Sequence, residues 1–242
     1  MQTIAIFSDV HGNVGALRAV LTDIDSRAAD QTYCLGDLVG YGPDPNGAID
    51  LIREKGIPCL LGNYDDGIGF ERGSCGCFYP DAEAKRLGMA SYEFTVRTVT
   101  AERKEFLRGL PHELRLEVEG ARVHLVHGSP RKINEYLLPH RDPRTFERIA
   151  ASEDADVLVF GHTHTPWHRT YGAVVFVNVG SVGKPKDGDP RASYSLLHLR
   201  QAREIEVEVE DVRVEYDVEE VATRIVEAGL PLELAEALRK AH

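Results

Sequence analysis

Residues 3–11 read Thr-Ile-Ala-Ile-Phe-Ser-Asp-Val-His, an apolar run that ends in two side chains able to bind a metal ion or move a proton. The arrangement recurs. Residues 32–35 precede Gly36-Asp37, residues 57–61 precede Gly62-Asn63, residues 122–126 precede His127-Gly128, and residues 157–160 precede Gly161-His162-Thr163-His164. Each run has the length and the β-branched or aliphatic character of one strand, so every polar block falls at a strand's C-terminal end. In open α/β sheets the ligand crevice lies outside those ends, which brings residues distant in sequence to one place. The 28 residues from Asp9 to Asp37 and the 26 from Asp37 to Asn63 suit a strand, a crossover helix and the next strand. Glycine in four of the blocks allows the chain a tight exit toward the crevice.

Apolar spacing predicts an amphipathic helix over 12–29 and another over 46–55, with Asn46 as its cap after Pro45. The rigid Val39-Gly-Tyr-Gly-Pro-Asp-Pro stretch between them is expected to shape one wall of the crevice. Residues 65–90 lack strand periodicity, 91–109 read as a helix ending at Gly109-Leu110-Pro111, and 65–111 together form a possible cap insertion. Strands are expected over 114–119, 173–179, 193–199 and 205–216, followed by two short helices over 217–228 and 232–241. The 242 residues are read as one domain, with no repeat, low-complexity segment or linker.

A hydrophobic content of 43% with 28% charged residues belongs to an ordinary globular chain. The net charge of −11 argues against general binding to nucleic-acid backbone, which needs a basic surface. No stretch of roughly 18 apolar residues exists to span a membrane, and no basic leader precedes the first strand, so a cytoplasmic location is expected. Oligomerisation stays open. Cys34 and Cys59 fall in or beside apolar runs and are expected to be buried and reduced. For Cys75 and Cys77 a tight loop is the first reading, with a disulfide or a metal site as alternatives.

Two divalent ions roughly 3.5 to 4 Å apart need a bridging carboxylate and several hard or borderline ligands. Five strand ends carrying Asp, Asn and His offer that set. His162 and His164 would point oppositely on a regular strand, so they are expected on a turn. The motifs Asp-x-His, Gly-Asp, Gly-Asn-x-Asp, His-Gly and Gly-His-x-His, in this order and spacing, resemble the calcineurin-like metallophosphoesterases over residues 3 to about 183, near the small prokaryotic phosphodiesterase branch. The resemblance implies an α/β fold, a four-layer αββα sandwich of two mixed sheets. It also implies a dinuclear centre in which Asp9, His11 and His164 hold one metal, Asp37 bridges, and Asn63, His127 and His162 hold the other. Mn²⁺, Fe, Co²⁺ and Zn²⁺ all accept such ligands, and Mn²⁺ is the favoured expectation. A hydroxide between the two ions would attack the phosphoester in line, with Asp37, Asn63, Tyr64 and His127 as the catalytic set and no protein nucleophile.

The family often has His after Gly-Asn, where this chain has Tyr64. A phenol with an ordinary pKa near 10 is poorly matched to general-acid work at neutral pH, so phosphodiesters or activated esters are expected over monoesters of poor leaving groups. Asp65, which would orient that His, is left to cap a turn. A phosphoprotein or dinucleoside-polyphosphate phosphatase is the alternative within the same class, and a non-catalytic metal-binding scaffold the alternative outside it. Lys184, Lys186 and Arg191 read first as a solvated loop and second as phosphate contacts, while Tyr41 and Trp167 read equally as packing or as stacking surfaces. The remaining histidines have no motif partner and read as surface or structural.

Overall fold

The computed structural model describes residues 1–202 and 205–242. The first apolar run forms β1 (Gln2–Phe7), and its period of two sends Ile4 and Ile6 into one core and Ala5 and Phe7 into another. A strand buried on both faces must lie in an inner layer. β1 pairs in parallel with β2 (Gln31–Cys34), reached through α1 (Val14–Ser26), and antiparallel with β8 (Ala192–Gln201), which pairs with β9 (Ile205–Val214). The second sheet holds β3 (Glu113–Val118), β4 (Ala121–Val126), β5 (Val157–Phe160), β6 (Trp167–Tyr171) and β7 (Val174–Asn178) in the order β3-β4-β5-β7-β6. Its three central strands are parallel and both edge strands antiparallel.

Ile4, Ile6 and Leu35 of the first sheet meet Val123, Leu125, Val159 and Val177 of the second in the central core. On the outer face of the first sheet, Leu17, Val20 and Ile24 of α1 and Ile49 and Ile52 of α2 (Pro45–Lys55) cover Ala5 and Phe7. On the outer face of the second, Phe146 and Ile149 of α6 (Pro143–Ser152) cover Leu158, Phe160 and Phe176. The layers therefore run αββα with two mixed sheets, as the resemblance implies.

Several expectations are corrected in detail. Residues 57–61 make only a bridge between Cys59 and Cys34, because Pro58 has no N–H to extend a ladder. Asp44, not Asn46, caps α2: its Oδ1 accepts from Gly47 N at 2.8 Å, and Pro45 occupies the first helical turn. A short helix α3 (Asn63–Gly69) begins at the Gly-Asn block itself. The helix expected over 91–109 starts earlier and is broken in two, α4 (Ala82–Thr98) and α5 (Ala101–Arg108), by extended Val99 and Thr100. α6 and β6 were not anticipated, although Asp142 before Pro143 is a cap signal that the structure uses. α7 (Val218–Glu227) and α8 (Leu232–Lys240) form as expected and pack against Tyr41 and against Leu87 and Phe94 of α4, so they flank the same end of the molecule as the strand termini. Among the described residues no helix is long and apolar enough to cross a membrane.

Candidate metal centre

Asp9, His11, Asp37, His162 and His164 all sit in the left-handed backbone region, with φ of 56°, 49°, 54°, 64° and 60°. Such a conformation is uncommon outside glycine and clusters at sites where the surroundings enforce it. Here the enforcing contacts are visible. Asp9 N donates to Gly36 O at 3.0 Å and His11 N to Asp37 O at 2.9 Å, stapling the ends of β1 and β2 together. His162 N donates to Asp9 Oδ2 at 2.9 Å, and Gly183 N to Asp9 O at 2.9 Å, which ties the β5 and β7 ends to the same point. The turn expected for residues 161–164 is this left-handed bend, and it aims both histidines inward.

The seven residues form two adjacent buried groups. Asp9, His11 and His164 make one, and Asp37, His127 and His162 the other, each with its donor atoms within 4.8 Å of one another. Asn63 Oδ1 lies 3.0 Å from His127 Nε2, which adds it to the second group. Asp37 Oδ2 stands between the groups, 3.7 Å from His11 Nε2 and 3.6 Å from His127 Nε2.

Backbone carbonyls fix the histidine tautomers. His11 Nδ1 donates to Val39 O at 2.9 Å, His127 Nδ1 to Leu35 O at 2.9 Å, and His164 Nδ1 to Lys184 O at 2.6 Å. A carbonyl only accepts, so each Nδ1 holds the proton and each Nε2 of the neutral ring carries a lone pair. His11 Nε2 then faces His164 Nε2 at 3.1 Å, lone pair to lone pair. Asn63 Nδ2 donates to Cys75 O at 3.0 Å and to Cys77 Sγ at 3.2 Å, leaving its Oδ1 to face the lone pair of His127. His162 Nε2 is buried without a partner. Acceptors facing acceptors in a buried site are unfavourable unless a cation stands among them. The donor set therefore fits two divalent ions.

The charges agree. Burial holds His11, His127 and His162 below the usual imidazole range, and burial with the nearby Lys186 brings His164 down to about 4. Asp9 is buried too, but at low pH the charged forms of the facing His164, His127 and His11 favour its carboxylate, so it ionises ahead of them. Burial, then the Asp9 and Asp65 carboxylates, push Asp37 well above the carboxylate range. Neutral imidazoles and crowded carboxylates are the state that a metal requires and relieves.

Asp65 does more than cap a turn. Its Oδ2 accepts from Gly62 N at 3.1 Å and its Oδ1 from Leu38 N at 3.0 Å and Val39 N at 3.4 Å, so it binds the start of α3 to the Asp37 loop. Asp65→Ala leaves buried N–H groups without an acceptor and is expected to cost about 1 to 3 kcal/mol, together with reduced metal retention; urea unfolding and metal analysis check both.

Tyr64 is buried, its ring 5.4 Å from that of His11 and 5.0 Å from that of Tyr41, and its hydroxyl lacks a hydrogen bond of good geometry. Burial, then neighbouring Tyr41 and Tyr79, raise its pKa further, which makes it a poorer proton donor than the sequence alone indicates. Lys184 corrects the reading of a solvated loop: it is buried, with Nζ 3.0 Å from His242 O and 4.9 Å from the centre of the Tyr41 ring. Lys186 is exposed but lines the metal cleft, and it forms no ion pair among the described residues. Arg191 pairs with Asp189 at 2.6 Å instead. Trp167 packs on Phe146 and Phe160 under the second sheet, whereas Tyr41 lines the cleft. His124 is structural, held between Glu153 at 2.7 Å and Glu113 at 2.8 Å.

Of the three readings of Cys75 and Cys77 the structure takes the disulfide, while Cys34 and Cys59 are free and buried. The sequence reading missed Tyr136, whose ring lies 4.2 Å from that of His162. Its only signal is its place in the loop that follows the His127-Gly128 strand end.

Buried Asp, Asn and His side chains gathered at the strand ends of two mixed sheets are the setting of a metallophosphoesterase, and the chain belongs to the calcineurin-like phosphoesterase superfamily, whose domain model matches residues 2–202. The chain is 32% identical to the uncharacterised protein MJ0912 of Methanocaldococcus jannaschii, over 97% of this chain and 96% of that one. It is 27% identical to the phosphodiesterase YfcE of Escherichia coli K12, over 81% of this chain and 88% of the relative. The crystal structure of a metallophosphoesterase from Sphaerobacter thermophilus superposes with a TM-score of 0.78 at 29% identity, covering 100% of this chain and 99% of that one.

Proposed function

We propose that the protein is a metal-dependent phosphodiesterase using two divalent ions, one held by Asp9, His11 and His164, the other by Asn63, His127 and His162, with Asp37 shared. The observation that carries this reading is the pair of adjacent buried groups in which acceptors face acceptors and Asp37 Oδ2 stands between. Such ions, when bound, supply Lewis acidity to the phosphoryl oxygens and a water of lowered pKa, with Mn²⁺ the first ion to test. The chain supplies the rest. Its carbonyls lock the imidazole tautomers, Asp65 positions the Asp37 loop, and the exposed Lys186 ammonium meets the anionic phosphate at the mouth of the cleft. Tyr64, with its pKa raised, does not protonate a poor leaving group at neutral pH, which favours diesters and activated esters. The E. coli relative, a phosphodiesterase, points the same way.

Stripping with chelator, reloading with Mn²⁺ and assaying bis-(p-nitrophenyl) phosphate beside p-nitrophenyl phosphate tests the reading. Metal-restored turnover that favours the diester supports it, and a fully loaded protein that hydrolyses neither ester contradicts it. Tyr64→His restores a side chain with a pKa near neutrality and is expected to raise monoester turnover roughly tenfold, a fraction of what general-acid catalysis contributes. No rise in the monoester-to-diester ratio would remove Tyr64 from the account of ester preference.

A further inference from the structure

The cleft at the metal ligands has a volume of only about 10 Å³, room for little beyond a water molecule. It opens into a chamber of about 330 Å³, and Tyr41, Cys77, Tyr136 and Lys186 line both. For a phosphate held at that cleft, the chamber is the adjoining lined space able to take a sizeable ester group, and its volume falls in the range of small-molecule sites. Its walls come from two parts of the chain that the motifs do not touch. Phe78 and Tyr79 of the loop before α4 form one, with Ala84 and Leu87 of α4, and Leu234 and Ala237 of α8 form the other. An ion pair from Arg86 to Glu233, 2.7 Å, ties α4 to α8 beside it.

The lining is aromatic and aliphatic, with positive charge at the border toward the cleft. Phe78 is 74% exposed, an unusual position for a large apolar ring. Tyr41 carries the Lys184 ammonium against one ring face, and Tyr136 sits on the His162 ring. Aromatic walls next to lysines match a ligand with a planar ring at one end and an anion at the other. Lipid chains match less well, because Tyr41, Tyr79, Tyr136, Lys184, Lys186 and His242 place polar groups in the lining.

We infer that the chamber formed by the 77–88 segment and α8 is the specificity site for a planar-ring ester arm, so that the substrates are aryl or nucleoside phosphodiesters whose ring lies against Phe78, Tyr79 and Tyr136 while the phosphate reaches the metal ligands. The inference rests on the phosphodiesterase reading and adds the identity of the ester arm. Ring stacking on aromatic side chains is expected to give a preference of about tenfold for a ligand that carries the ring.

Calorimetric titration of the Mn²⁺-loaded protein with methyl phosphate, phenyl phosphate and thymidine 5′-monophosphate reads the inference without turnover. Phenyl or thymidine monophosphate should bind at least about tenfold tighter than methyl phosphate, and which of them binds tighter identifies the arm as aryl or nucleoside. Ala84→Trp and Ala237→Trp, which fill the chamber from opposite walls at partly exposed positions, should bring the preference close to parity. Phe78→Ala, at an exposed position that leaves the core intact, should lower it several-fold. Equal affinity for all three ligands, or a preference that survives all three substitutions, overturns the chamber while leaving the phosphodiesterase reading in place. Failure of the loaded protein to bind any of the three overturns both.

Discussion

Asp37→Asn is expected to lower metal-restored diester hydrolysis by at least about a hundredfold, the scale on which electrostatic stabilisers and metal-site partners act. The substitution keeps the size of the side chain and an oxygen to accept the Tyr64 N–H, now bonded at 2.8 Å, so the fold is retained. It removes the charge that lies between the two donor groups and can turn amide N–H donors toward His11 and His127, where a metal would stand. The same variant should be more heat-stable than the parent when both are metal-free. Burial with Asp9 and Asp65 raises the Asp37 pKa in the folded state, so the contribution of this carboxyl is favourable at low pH, where it is protonated, and is lost as pH rises through the raised pKa. At neutral pH the metal-free parent carries that penalty and the amide does not. Thermal melts in chelator at pH 7 and at pH 4 check the sign: the gain should be present at pH 7 and shrink at pH 4. Loss of activity with no gain in metal-free stability would mean that Asp37 is not held against its own ionisation.

Gly62→Ala should damage stability and activity together. A Cβ at residue 62 would lie 2.1 Å from Asp37 N and 2.2 Å from Asp37 Oδ1, so either the chain at the start of α3 or the carboxylate must move. Gly36 faces it from the other loop, where a Cβ would lie 2.4 Å from Gly62 N. Overpacking of this kind costs about 1 to 3 kcal/mol. For a chain of this length that amounts to about 2 to 4 °C in Tm per kcal/mol. Misplacing a ligand by about 1 Å can cost a further hundredfold in rate. Gly56→Ala is the control. Unlike Gly62, whose φ is −85°, Gly56 has positive φ, 62°, but no atom within 4 Å of the added Cβ, so it should cost stability by backbone strain alone and leave metal uptake intact. Similar losses of activity in both variants would show that the close approach of the two loops is not what positions Asp37.

The sequence displays this architecture at the strand ends because there chemistry and topology write into the same residues. An apolar run needs composition and length, a ligand needs Asp, Asn or His, and the two sit side by side at Ser8-Asp9 or Phe160-Gly161-His162. What it displays poorly are features set by the tertiary partner. Residues 57–61 have the composition of a strand, but Pro58 limits them to a bridge. Lys184 looks like a loop charge, and only the packing of Tyr41 and the approach of His242 make it a buried one. Asp65 lost its presumed histidine partner in the sequence, yet three backbone N–H groups replace it. Tyr136 and the α8 wall of the chamber carry no motif at all, since any residue of suitable bulk can line a cavity. Ligand identity is local and legible, whereas the shape around the ligands is a property of the whole chain.

The most direct test of the central claim is metal stoichiometry. The stripped protein, reloaded with Mn²⁺ and freed of excess, should hold two ions per chain by elemental analysis, and a substitution in either group, His11→Ala or His127→Ala, should reduce that number and abolish diester hydrolysis. A parent protein that binds fewer than two ions per chain at saturation, or that loses neither metal nor activity on these substitutions, would contradict the account.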